Sequence, residues 1–174
     1  MRIDRVWAMP NKWTFTIKPI AELLKEEVRD KGELWCDPFA GENSPADIQN
    51  DINQDTPAKH HLDALTFLKT LEKNWYDGVL YDPPYSITQA RMYGDKKFSS
   101  MKYWKECKDE IARILKPGGK AICFGWTSMG LGKGRGFEMK RILLVPHGGS
   151  KNDTIATVEV KKEKWLGEGK DGVV

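Results

Sequence analysis

Cysteine is scarce in this chain. Cys36, Cys107 and Cys123 are three in 174 residues, widely spaced and odd in number, and no Cys-x-x-Cys pair occurs, so neither a disulfide framework nor a zinc site is indicated. Histidine is equally scarce. His60 and His61 lie in a polar stretch without acidic or cysteine partners at ligand spacing, His147 has no evident catalytic partner, and no metal is expected. There is no run of about 18 apolar residues, and the start Met1-Arg2-Ile3-Asp4 carries no signal-peptide pattern. These absences speak against a membrane span and a secretory leader and place the chain in the cytoplasm. What is present, 40% hydrophobic and 30% charged residues, excludes a disordered chain and suffices for one ordinary globular domain over residues 1–174.

Net charge is small at +3, but its distribution is uneven. Residues 1–85 hold 10 Lys and Arg against 15 Asp and Glu; the remainder hold 18 against 10. A basic second half suits a polyanionic partner such as nucleic acid, and lysines also serve simply to keep a surface solvated.

The chain is organised around Val79-Leu80-Tyr81-Asp82-Pro83-Pro84-Tyr85. Proline fixes φ and cannot donate a ladder hydrogen bond, so Pro83 and Pro84 must end the strand that precedes them. Asp82 therefore sits at the carboxyl end of a strand, where open α/β sheets bind ligands. Each proline also holds its predecessor extended, so the Asp82 carboxylate and the Pro83 carbonyl face one cavity. Two acceptors there suit an amino group with two protons to donate, and Tyr85 offers a flat face on which a base ring can stack. The same residues also read as a strand closed by a Pro-Pro turn. The motif resembles that of amino-group methyltransferases acting on nucleic acid bases, in which Asp-Pro-Pro-Tyr is typical of adenine N6 enzymes.

Upstream, Leu34-Trp35-Cys36-Asp37-Pro38-Phe39-Ala40-Gly41 repeats the logic of apolar strand, acid, proline and glycine turn. Gly41 allows backbone to approach a ligand without a Cβ in the way. The stretch resembles the donor-binding Asp-Pro-Phe-x-Gly-x-Gly motif of the same family, with Asn43 in place of the last glycine. In that resemblance Asp37, Pro38, Phe39, Ala40 and Gly41 bind S-adenosylmethionine, Phe15, Lys18 and Pro19 line its pocket, and Asp63 and Ala64 reach its adenine. Asp51 and Ile52 follow a short β-like stretch, at the position where Rossmann-like folds hold ribose hydroxyls. Only nine residues separate Gly41 from Asp51, too few for a crossover helix and a strand, so that helix is expected to be shortened to a turn or lost.

The remaining elements follow from periodicity. Ile20, Leu23, Leu24 and Val28 recur at helical spacing and predict a helix over 19–29; a second runs over 63–73 and a third over 101–115, ended by Lys116-Pro117-Gly118-Gly119. A buried strand is predicted over 121–126, and β-like runs over 137–146 and 153–161 form a hairpin. Residues 1–14 read as an extended arm packed down by Trp7 and Trp13, and 165–174 as a frayed tail. The polar loop 86–100, with Ser86, Arg91, Tyr93, Lys96 and Lys97, and the glycine-rich loop 129–136, with Lys133 and Arg135, are the candidate contacts to substrate phosphates.

The expectation is a Rossmann-like α/β fold of the class I methyltransferase type, with a mostly parallel sheet and an antiparallel C-terminal hairpin. The resemblance implies methyl transfer from S-adenosylmethionine to adenine N6 in DNA, with Asp82, Pro83, Pro84 and Tyr85 as catalytic residues. Cytosine N4 or RNA adenine stays open as acceptor, as does a noncatalytic nucleic-acid-binding subunit. A specificity subunit or a homodimer also stays open. No segment is large enough to be a reading domain, so sequence selectivity is expected to be weak.

Overall fold

The computed structural model describes residues 1–28, 32–84, 100–149 and 152–163. Among these described residues seven strands form one sheet: β1 (Arg2–Arg5), β2 (Trp35–Asp37), β3 (Ile48–Gln49), β4 (Tyr76–Tyr81), β5 (Leu115–Gly125), β6 (Phe137–Val145) and β7 (Thr154–Lys161). Across the sheet they run β1-β6-β7-β5-β4-β2-β3. The pairs β1–β6, β2–β3, β2–β4 and β4–β5 are parallel, whereas β7 runs against both β5 and β6. The expected mostly parallel sheet with an antiparallel C-terminal hairpin is what the chain forms.

Helix α1 (Lys18–Glu27) covers one face, with Pro19 in its first turn and Ile20, Leu23 and Leu24 buried against Leu80, Ile122, Leu143 and Val158. On the other face α2 (Ala64–Thr70) and α3 (Met101–Ile114) bury Phe67, Leu68, Cys107, Ile111 and Ile114 against Val79, Tyr81 and Cys123. Alternate residues of β4 thus serve opposite cores, as the twofold side-chain period of a strand covered on both sides requires. All three cysteines are free and buried, and burial pushes the Cys107 and Cys123 thiols up to about 12. They are inert packing groups.

Three expectations need correction. The arm 1–14 is not simply laid on the body by its tryptophans: its first residues form β1, Arg2 lying opposite Arg141, and Trp7 is 60% exposed. An ion-pair network of Arg141 with Asp4 and Glu26 fixes this edge. The helix predicted to end at Leu115 ends at Ile114, and Leu115 already pairs with Tyr76. Lys116 to Gly119 then form a bulge, because Gly78 pairs next with Lys120; Gly118 takes φ +82 there. Trp126 lies outside β5 and is 43% exposed. The predicted tail 165–174 lies outside the described residues. No helix of the described residues is long and apolar enough to cross a membrane.

Candidate functional site

From β2 the chain steps outward to β3, then returns to the other side of β2 as β4. That reversal opens a crevice beyond the carboxyl ends of β2 and β4, the position at which open α/β sheets bind ligands. Cys36 lies opposite Val79, so Asp37 at the end of β2 and Asp82 just past β4 stand at the two lips of the crevice.

The link from β2 to β3 contains no helix and is held by side chains. Asp37 is fully buried; its carboxylate accepts the Phe39 N–H at 2.8 Å and the Ser44 hydroxyl at 2.7 Å. Burial raises its pKa to about 7, and the charges of Asp82 and Asp51 add to the rise. Asp51 closes the far side: one carboxylate oxygen accepts the Gly41 N–H and the other the Asn53 N–H, each at 2.8 Å. Gly41 holds φ +54, and a Cβ built on it would project into open space, so its backbone faces the crevice uncovered. Behind the turn, fully buried Asn50 donates to the Pro38 and Leu62 carbonyls and accepts the Leu62 N–H.

The other sequence candidates are distributed around this turn. Pro38 and Ala40 are buried within it. The Phe39 ring stands 5.8 Å from Tyr81 and 6.1 Å from Trp104 of α3, at the crevice wall. Phe15 is in the core, its ring 5.2 Å from Phe124, while Lys18 is exposed at the start of α1 and Pro19 is buried beside it. Ile52 packs against the core from a half-buried position. Asp63 caps α2 through the Thr66 N–H, with the Tyr103 hydroxyl 3.4 Å away, and Ala64 is buried behind it. Pro83 and Pro84 are half-buried. Tyr85, Ser86, Arg91, Tyr93, Lys96 and Lys97 lie outside the described residues. Lys133 is exposed, but Arg135 is committed to Asp109 at 2.7 Å and to the Leu131 carbonyl at 2.9 Å, which ties the loop 129–136 to α3.

Four contributors carried no sequence signal: Ser44, Asn50, Trp104 and Glu159. Glu159, on β7, is buried and takes the Leu131 and Gly132 N–H groups, so it shapes the loop 129–136 from beneath. His147 proves structural. Its Nδ1–H donates to the Ala8 carbonyl at 2.8 Å, which leaves Nε2 to accept the Thr154 hydroxyl at 2.8 Å. Among the described residues no cluster of His, Cys, Asp or Glu has metal-site geometry.

The crevice therefore presents an uncovered glycine turn flanked by Asp37, Asp51 and Asp82. That donor set fits a ligand combining hydroxyl groups with positive charge, as a nucleoside bearing a sulfonium and an ammonium does.

No protein-family model matches the chain, and no curated protein matches it in sequence. Solved structures with a similar fold include TrmN from Thermus thermophilus, at TM-score 0.57 and 16% identity over 83% of this chain. The match covers 49% of TrmN, so the chain spans about half of that protein's length. A second is the Burkholderia thailandensis 1,6-didemethyltoxoflavin-N1-methyltransferase, solved with S-adenosylhomocysteine (TM-score 0.55, 13% identity, 83% of this chain and 77% of that one). A third is magnesium protoporphyrin IX methyltransferase from Synechocystis PCC 6803, solved with S-adenosylmethionine (TM-score 0.55, 12% identity, the same coverage of 83% and 77%). With the strand order and the crevice at its switch point, the likeness establishes the architecture: the chain has the Rossmann-like α/β fold of class I methyltransferases.

Proposed function

We propose that this chain transfers a methyl group from S-adenosylmethionine to the N6 amine of adenine in DNA. The observation that carries the reading is that Asp82-Pro83-Pro84 and the Asp37–Gly41 turn, far apart in sequence, meet at one switch-point crevice. Gly41 and the carboxylates of Asp37 and Asp51 would hold the donor: the open backbone admits the nucleoside, and the buried charge favours a cation. When bound, S-adenosylmethionine supplies an electrophilic methyl group on sulfur.

The work of the chain's own residues follows from the weakness of the acceptor. The lone pair of an aromatic amine is delocalised into its ring and is a poor nucleophile. Hydrogen bonds from the amine to the Asp82 carboxylate and the Pro83 carbonyl favour a pyramidal nitrogen and relocalise that pair. Attack then needs no prior deprotonation, the proton shed by the product nitrogen passes to Asp82, and positioning and electrostatics carry the rate. A base stacked in a duplex cannot reach such a crevice, so the target must be flipped out or already unpaired. Within residues 1–174 no loop is large enough to read several base edges, so these residues by themselves give weak selectivity in this reading.

A noncatalytic nucleic-acid-binding role is favoured by one observation: both Asp51 oxygens are already engaged in closing the turn. Incubation with labelled donor and assorted DNA and RNA, followed by nucleoside mass spectrometry, separates these readings. Labelled N6-methyladenine from DNA supports the proposal; label confined to RNA or cytosine moves it, and no label with any substrate overturns it.

A further inference from the structure

The two edges of the sheet differ. Beside β3 the chain returns at His60, which bonds Gln49 and Asp51 through the backbone and so occupies that edge. At the far edge β1 pairs with β6 on one side and, among the described residues, with no strand on the other. The Val6 and Ala8 N–H groups donate to the Leu144 and Pro146 carbonyls. By the alternation of a ladder, the peptide groups of Ile3 and Arg5 therefore point outward from β6, open to a further strand. Side chains alternate between the faces. Asp4 bonds Arg141 and Arg2 on the α1 face, and Ala8 packs into the core there. Ile3, Arg5 and Trp7 stand on the other face, where Ile3 is 58% exposed beside half-buried Ile142 and Leu144 of β6.

An open edge is a template for another strand, and charges placed along it ordinarily prevent pairing. Here their order permits one pairing and opposes its neighbours. A twofold axis normal to the sheet sets two β1 strands antiparallel and brings residues of the same face opposite one another. Centred on Arg2, Asp4 or Arg5, that arrangement puts like charges face to face, which is destabilising. Centred on Ile3, it sets Ile3 against Ile3 and, on either side, Arg2 of one copy against Asp4 of the other. The backbone agrees, because Ile3 has outward peptide groups and can exchange both hydrogen bonds with its mate. On the apolar face, Met1 of each copy comes diagonal to Trp7 of the other, within reach of the indole. The edge is thus complementary to itself in charge, in backbone and in apolar contact.

We infer that the open edge of β1 is the docking site for a second copy of this chain, joined antiparallel about a twofold axis at Ile3. The seven strands of each copy then form one continuous sheet, whose two crevices open at opposite rims. The crevice lies at β2 and β4, with β5, β7 and β6 between it and this edge. Association therefore leaves each crevice as it is, and the inference stands apart from the proposed function.

Sedimentation velocity of the full chain over a wide concentration range tests the association, and thiol crosslinking tests the register. The parent should show a reversible monomer–dimer equilibrium with its midpoint between micromolar and near-millimolar, as a short-strand interface implies. Arg2→Glu, at an exposed side chain, sets acid against Asp4 twice and should weaken the dimer roughly tenfold or more. Arg5→Glu makes the same change of net charge but faces Met1, and should weaken it less than about threefold. Ile3→Pro deletes an N–H that points outward, leaves the β1–β6 ladder its bonds, and should weaken the dimer at least about tenfold. For the register, the native cysteines are all buried, so introduced thiols react selectively. A short bifunctional thiol reagent should join Ile3→Cys chains in pairs. Arg5→Cys chains, which this register separates by about 14 Å along the strands, should stay largely unjoined. A parent that remains monomeric throughout would overturn the inference, as would a dimer indifferent to Arg2→Glu and Ile3→Pro. Arg5→Cys joining as readily as Ile3→Cys would overturn it too. If Ile3→Pro folds poorly, Arg2→Glu and the crosslinks decide.

Discussion

Replacing Asp37 by asparagine should stabilise the chain, by an amount that depends on pH. Asp37 is fully buried, its carboxyl is raised from 3.8 to about 7, and burial is the main cause, with Asp82 and Asp51 adding like charge. Below pH about 4 the carboxyl is protonated in folded and unfolded chains alike and has no effect on the balance. Between about 4 and 7 the unfolded chain ionises while the folded chain retains the proton, so stability falls as pH rises. Above 7 both are ionised and the loss is complete. A rise of about three pKa units corresponds to roughly 4 kcal/mol. Asparagine keeps the local hydrogen bonds, since its carbonyl accepts the Phe39 N–H and its amide donates to the Ser44 hydroxyl oxygen. Urea unfolding of parent and Asp37→Asn from pH 4 to 9 is the assay. The stability difference in favour of the variant should grow by about 4 kcal/mol between pH 4 and 7 and then level off. A difference that does not change with pH would refute the reasoning. The same carboxyl links stability to ligand binding: a cationic donor favours its ionised form, so donor affinity should rise as pH approaches 7.

Other outcomes follow from the turn. Asn50→Ala removes a fully buried amide that holds Pro38 and Leu62, leaves their polar groups unpaired, and should cost about 3 kcal/mol in urea unfolding. Asp51→Ala frees the Gly41 and Asn53 N–H groups and should weaken S-adenosylmethionine binding about ten- to a hundredfold by calorimetry; parental affinity would remove Asp51 from the donor site. Methylation of random-sequence DNA should mark adenines nearly uniformly and fade steeply with salt, whereas a defined motif of about four base pairs or more would show specific reading.

How much of this was legible in the sequence depended on how local the cause was. Pro38 and Pro83 end their strands by covalent geometry, so the acids before them could be placed at strand ends without any tertiary information. The nine residues between Gly41 and Asp51 likewise ruled out a crossover helix by length alone. What stayed hidden was set by distant partners. Arg2 finds Arg141 across the sheet, Glu159 turns under a loop nearly thirty residues away, and Asn50 becomes a clip only because β3 lies beside β2. Lys116 to Gly119 read as a helix stop, which they are, but their bulge exists only because β4 lies alongside. Arg135 looked available for phosphate on composition, and its pairing with Asp109 needed α3 in place.

The central claim is that the two strand ends form one site with divided labour, the β2 turn for the donor and Asp82 for the acceptor. Asp82→Ala tests it most directly, with donor affinity measured by calorimetry and transfer by nucleoside mass spectrometry on the same preparation. The account predicts S-adenosylmethionine affinity within a fewfold of the parent and no N6-methyladenine. A variant that still methylates adenine, or one that loses the donor together with the activity, would contradict it.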